Sequence, residues 1–312
     1  MNRRALLRGL TSLAGLAAAG TFGAVPSGGS RGGVQPGVQL FPVRSLLEKD
    51  VSGTLTVLAG IGFTEVEMFG IGGASIFASD AFFGMQPNAF IGLVKKLGMR
   101  IPTVHFSGGE AGVPKAAEIA LSLGATHLIN PMASIFQQRS PDGLRILPVR
   151  DEAQMQRLAE DLNRAGEASR KAGIRFAYHN HHMEFAPLGA RRPFDILLAQ
   201  TDPALVDFEL DVGWAVAAGA DPASYLERFP TRFVACHLKD YDPKRPVSAP
   251  SSTAPIPEMV RMVPPGDGTI DFPRILAAMR HAGIGHGYLE VDLPQGNPLD
   301  VCRRGYQYLS RL

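Results

Sequence analysis

Cysteine is scarce in this chain: Cys236 and Cys302 are the only two among 312 residues. That count excludes a disulfide framework and a zinc site of the CxxC type. Cys236 lies in an apolar, strand-like run, where a thiol behaves as a small buried hydrophobe. Excess charge is also scarce. Lys and Arg number 31 against 29 Asp and Glu, a net charge of +2. Part of that excess is local, because Arg3, Arg4, Arg8 and Arg31 fall in the first stretch. The remainder is close to neutral, so a basic nucleic-acid footprint is not supported. The N-terminal apolar run is too short and too rich in Gly for a stable membrane span. No GxGxxG motif opens a helix after the first strand, which argues against dinucleotide binding.

Residues 1–30 read MNRRALLRGLTSLAGLAAAGTFGAVPSGGS. Paired arginines, a weakly apolar stretch and a small-residue region follow one another, the layout of a secretory signal of the twin-arginine type. The expectation is export to the periplasm or beyond, with cleavage between about Ala19 and Ser27. The folded domain is then expected to span residues 31–312.

Beyond the signal, apolar runs and helical patterns alternate. Eight strands are predicted: Gly37–Phe41, Thr64–Met68, Ile101–Phe106, His127–Asn130, Ile174–Asn180, Val206–Leu210, Phe233–Leu238 and Gly287–Val291. Helical patterns fill the intervals, among them Arg44–Gly60, Asp151–Ala172 and Phe272–Ala282. A glycine recurs between helix and strand in AGIGF, KLGMR, SLGAT, KAGIR and HAGIG. This is the signature of βα units on a parallel sheet. With 45% hydrophobic residues the chain can bury a large core. Eight units in about 280 residues match an α/β fold of the (β/α)8 TIM-barrel type in a single domain, with a doubly wound open sheet as the competitor. Two long connections, 129–150 and 240–264, leave strand ends and are expected to form rim loops.

Carboxylates and imidazoles gather at the ends of the last four strands, at Glu184, Asp211, His237 and Glu290. Barrel strand ends converge on one pocket, so these groups are candidate ligands for one divalent cation. Carboxylates mixed with imidazole suit Mn²⁺, Fe²⁺, Co²⁺ or Zn²⁺ better than Ca²⁺. Three of the eight histidines lie in YHNHHMEF, where His179 and His181 share one strand face. Gln39, Glu67, His105, Trp214 and Lys239 are candidate substrate contacts. Each residue also has a plain structural role open to it: Asp211 as a turn cap, His237 as a core histidine, Glu290 as the partner of an arginine, Trp214 as packing.

The segments GFTEVEMFG, YHNHHMEF, FELDVGWAVAAGAD, CHLKD, GDGTIDF and YLEVD resemble the sugar phosphate isomerase/epimerase superfamily, the xylose isomerase-like TIM barrels. The likeness spans roughly residues 35–310. It implies one metal held by Glu, Asp, His and Glu from strands five to eight. Asp211, His237 and Glu290 take three of these places. The first place departs from the pattern: His179 stands within strand five, and the nearest glutamate is Glu184. The expectation is Glu184 as ligand, with His179 the alternative. The resemblance implies isomerisation, epimerisation, dehydration or elimination on a keto-sugar, keto-glycoside or inosose through an enediolate. His181 or His179 would act as general base, and Glu290 would ligate and move protons. A carbohydrate is the expected partner, with a sugar oxidoreductase and a second copy of the chain as further candidates. Two other readings stand beside this one: a hydrolase of the endonuclease-IV-like branch and a silent sugar-binding protein.

Overall fold

The computed structural model describes residues 35–71, 82–141, 143–247 and 256–312. The expected export signal at residues 1–30 lies outside them. Eight parallel strands close into a barrel: β1 Pro36–Gln39, β2 Val66–Ile71, β3 Thr103–Phe106, β4 His127–Asn130, β5 Arg175–His179, β6 Val206–Asp211, β7 Phe233–Leu238 and β8 His286–Leu289. They neighbour one another in sequence order, and β1 pairs with β8 to complete the ring. The expected (β/α)8 barrel is therefore present, and all eight predicted strands coincide with barrel strands to within a few residues.

Helices wrap the outside: α1 Val51–Ile61, α2 Pro87–Lys96, α3 Val113–Leu123, α4 Glu152–Ala172, α5 Pro193–Gln200, α6 Val212–Ala217, α7 Pro222–Arg228, α8 Phe272–His281 and α9 Pro298–Leu309. Local chemistry sets their ends. Asp50, Asp151, Asp221 and Asp271 each accept a backbone amide in the first turn of the following helix. The predicted helix 44–60 is broken into Arg44–Leu47 and α1 because Asp50 caps a fresh start. Gly173 ends α4 at φ 84°, a left-handed turn that a side chain would strain. In α4 the apolar face is Met155, Leu158, Ala159, Leu162 and Ala165, the spacing of one helical stripe. Each fully buried leucine or phenylalanine in this outer layer contributes about 1.5–3 kcal/mol. No helix among the described residues is long and apolar enough to cross a membrane.

The two long connections build a rim. After β4 the chain forms an antiparallel hairpin, Gln137–Ser140 against Gly143–Ile146. After β7 it pairs Asp240–Tyr241 with Met262–Val263. Ile256, Met259, Met262, Trp214 and Val291 form a second, smaller apolar cluster there, and Ile146 of the hairpin packs against it.

Candidate active site

Alternation along the strands puts a column of polar groups inside the barrel. On β6 these are Asp207, Glu209 and Asp211, while Phe208 and Leu210 pack outward in the main core. Sheet register then sets the neighbours. Asp211 stands opposite His237, His179 opposite Glu209, and Gln39 opposite Glu67. Toward the N-terminal end of the barrel the same column closes with ion pairs. Arg175 grips Asp207 through two bonds of 2.7 and 2.8 Å, and Glu65 meets Arg100 and His286.

At the C-terminal mouth, His179 Nε2 lies 3.6 Å from Asp211 Oδ2. His237 Nδ1 lies 3.7 Å from the same oxygen and 3.8 Å from Glu290 Oε2. Donor atoms of Asp211, His237 and Glu290 all fall within 4.8 Å of one another. Asp211 is held in place twice. Its Oδ1 accepts the Trp214 amide at 2.9 Å, and Asn180 brackets its backbone, accepting from Asp211 N at 3.0 Å. The turn-cap role of Asp211 and its place beside His237 are thus both realised, each with a different oxygen.

The far side of each imidazole is anchored one layer down. His237 Nε2 stands 2.6 Å from Glu67 Oε2. His179 Nδ1 and His105 Nε2 stand 2.9 and 2.8 Å from Glu209 Oε2. Gln39 and Thr103 donate to Glu67 at 2.8 and 2.6 Å. A carboxylate behind a histidine fixes its ring and raises its basicity, the usual support of a metal-bound imidazole. Burial alone disfavours charge on His105 and His237. The carboxylates of Glu67 and Glu209 outweigh it, lifting His105 to about 10 and His237 to about 9. Burial also pushes the Glu67 carboxyl up, but the two histidines hold it well below its usual range. His179 and His181 go the other way: burial, then nearby cationic groups, keep both neutral. Burial and Asp292 raise Glu290 to about 7.

Lys239 is buried among three carboxylates. Its Nζ lies 2.9 Å from Asp211 Oδ2, 2.8 Å from Asp292 Oδ2, and against Glu290 Oε2. It passes over Trp214 at 5.6 Å. Gly213 makes room for it, because a Cβ there would sit 2.3 Å from Lys239 Cγ.

The structure brings Asp211, His237 and Glu290 together with His179 next to them, Lys239 beside them and Glu67 behind, while Gln39 and His105 line the same cavity. His181 and Trp214 line the cavity above. Glu184 is not part of this group. β5 ends at His179, and the chain turns before Glu184, so the strand's alternation no longer applies. Glu184 accepts the Tyr178 hydroxyl and, at 2.9 Å, the His181 amide. Tyr178 belongs to the outward-facing core, which draws Glu184 away from the barrel axis. Burial raises its carboxyl to about 7. His179 Nε2 stands nearer that place, 3.6 Å from Asp211 Oδ2, while its ring groups with His105, Glu209 and His237. Glu209 escaped the sequence reading, although the i, i+2, i+4 spacing of Asp207, Glu209 and Asp211 carried the signal.

Glu209→Gln keeps the size and removes the anion behind His105 and His179. The expected result is a 10–100-fold loss of metal affinity, read by competition against a chromophoric chelator. Unchanged affinity would make Glu209 a mere filler of the barrel.

Residues 55–312 match the family model described as xylose isomerase-like TIM barrel, and the chain belongs to this family. It is 31% identical over 167 residues to the inosose dehydratase of Clostridium botulinum (strain Alaska E43 / Type E3), which covers 51% of this chain and 55% of that protein. The chain thus matches about half the length of such curated relatives. A solved sugar phosphate isomerase/epimerase from Parabacteroides distasonis ATCC 8503 superposes with a TM-score of 0.70 at 24% identity, covering 90% of this chain and 94% of that one. The solved neighbour shares the barrel fold over nearly the whole of both chains.

Proposed function

We propose that this protein is a metal-dependent isomerase, epimerase or lyase that forms an enediolate from a keto-sugar, keto-glycoside or inosose. One observation carries the reading. His237 Nδ1 is buried with no hydrogen-bond partner, and Asp211 Oδ2 and Glu290 Oε2 are buried with the Lys239 ammonium against them, yet all three face one another at the barrel mouth. A buried nitrogen left this way is rare and points to a missing partner, and three carboxylates share the one Lys239 ammonium. With His179 Nε2 the three mouth donors make a set of two nitrogens and two oxygens, which suits Mn²⁺, Fe²⁺, Co²⁺ or Zn²⁺. Such an ion, when bound, supplies Lewis-acid polarisation of a carbonyl.

The remaining work falls to side chains. His181 lines the cavity and its Nδ1 has no hydrogen-bond partner. A neutral imidazole in that position takes the proton from the carbon beside the substrate carbonyl. Glu290, with its pKa near 7, is the second group able to carry a proton. Lys239, tethered by Asp292, directs positive charge toward the oxygen where negative charge develops. Return of a proton to carbon gives isomerisation or epimerisation. In elimination, the electron pair of the broken C–H bond forms a C=C bond as a β C–O bond breaks, and the leaving oxygen takes up a proton. The similarity to inosose dehydratases supports the elimination outcome.

The test is exchange. Metal-loaded protein in D₂O with an inosose or a keto-glucoside is expected to incorporate deuterium next to the carbonyl, read by NMR. His181→Ala is expected to slow that exchange 10²–10⁴-fold. Absence of exchange in the metal-loaded wild type with every such ketone sinks this reading.

A further inference from the structure

The cavity has two unlike halves. Its floor is the polar group of His179, His181, His237, Lys239, Glu290 and Asp292. Its upper wall is apolar: Phe41, Met132, Leu144, Ile146, Ile256 and Met259. These come from three separate connections, after β1, β4 and β7. Ile146 of the β4 hairpin packs against the cluster that holds Ile256, Met259 and Trp214, so two rim excursions meet across the mouth. Ser107 and Gln137 are further polar residues of the lining, and one N–H of the Gln137 amide donates to the Met132 carbonyl at 3.1 Å.

A small, fully hydroxylated ring presents hydroxyl groups on every edge. Those turned toward this wall would lose water and find few partners among the described residues. Each such group costs about 1–3 kcal/mol. The floor satisfies one end of a substrate and the wall penalises a polar group at the other.

We propose that the substrate carries an apolar, ring-sized substituent on its sugar: a keto-glycoside with an aryl or similar aglycone, its keto end on the polar floor and its aglycone against the Leu144–Ile146 and Ile256–Met259 wall. This rests on the function proposed above and narrows its substrate class. Carrying an aryl group from water onto this wall removes on the order of 100 Å² of apolar surface. That corresponds to roughly 50-fold tighter binding than for a methyl glycoside.

Trp214 is the chain's single tryptophan and lines the cavity. Its fluorescence therefore reports binding without any need for turnover. Phenyl and methyl 3-keto-β-D-glucoside are titrated into the metal-loaded wild type, Met259→Gln and Leu144→Gln. The expected result is a phenyl-to-methyl preference of roughly 50-fold in wild type that falls about tenfold in the variants. Leu144 is half-buried, so its replacement is informative even where Met259→Gln fails to fold. Equal affinities for the two glycosides, or a preference unchanged in both variants, overturn the aglycone subsite. A clear preference without deuterium exchange upholds the subsite and overturns the catalytic reading.

Discussion

His237→Ala is expected to strip the protein of bound metal and to lower kcat/KM on its ketone substrate by about 10³-fold or more, the equivalent of several kcal/mol of lost charge stabilisation. His237 sits at a junction. Its Nδ1 faces Asp211 and Glu290 at 3.7 and 3.8 Å, and its Nε2 rests on Glu67 at 2.6 Å. Alanine removes a donor from the mouth and the hydrogen-bond partner of Glu67 in one step. Elemental analysis of reconstituted wild type and variant checks the first effect. Asp211→Ala is the companion, and it should lose metal as well. Near-stoichiometric metal retained in both would mean that the ion is held elsewhere and that these groups are structural. The variant's melting curve separates the two effects, because a folded, metal-free protein is the expected product.

The largest effect on stability is expected from Asp240→Ala. The side chain follows Lys239 in CHLKD and is buried. Its Oδ1 accepts the amides of Tyr241 and Ile270 at 2.8 and 2.9 Å. Its Oδ2 accepts those of Gly266 and Gly268, both at 3.0 Å. One carboxylate thus pins residues 266–270, the first part of the GDGTIDF segment, onto the end of β7. Alanine leaves four backbone donors without that partner. Each buried orphan costs about 1–3 kcal/mol, but part of the loop can turn to water, so a total of about 3–5 kcal/mol is expected. In a domain of this size that lowers Tm by roughly 6–10 °C. Metal content should survive, since Asp240 does not face the mouth donors. A Tm within 2 °C of wild type, to within about 1 kcal/mol, would show that the loop is held by other contacts.

How legible was the site before the structure? Asp211, His237 and Glu290 were readable because each ends an apolar run, and strand ends of a barrel share one pocket. His179 was readable as the inward end of its strand, whereas His181 lies beyond that end and reaches the cavity from the turn. Strand alternation contained Glu209 too, yet a carboxylate in mid-strand looks like any other polar residue until something is known to stand behind it. Glu184 misled for the opposite reason. It lies near the strand end in sequence, but a turn after His179 and the Tyr178 hydroxyl take it to the other side of the sheet.

The chain's pattern alone determined the barrel. Repeated helix–glycine–strand units can bury their apolar faces in few ways, and eight of them close a ring. It also pointed to the strand ends where Asp211, His237 and Glu290 gather. Only the tertiary structure decided which oxygen or nitrogen of each side chain faces the mouth, and that Glu67 and Glu209 sit behind three imidazoles. It alone decided that two rim excursions, far apart in sequence, lay an apolar wall across a polar floor. Those outcomes depend on register between strands and on turns after their ends, and both are set by long-range packing that no local pattern encodes.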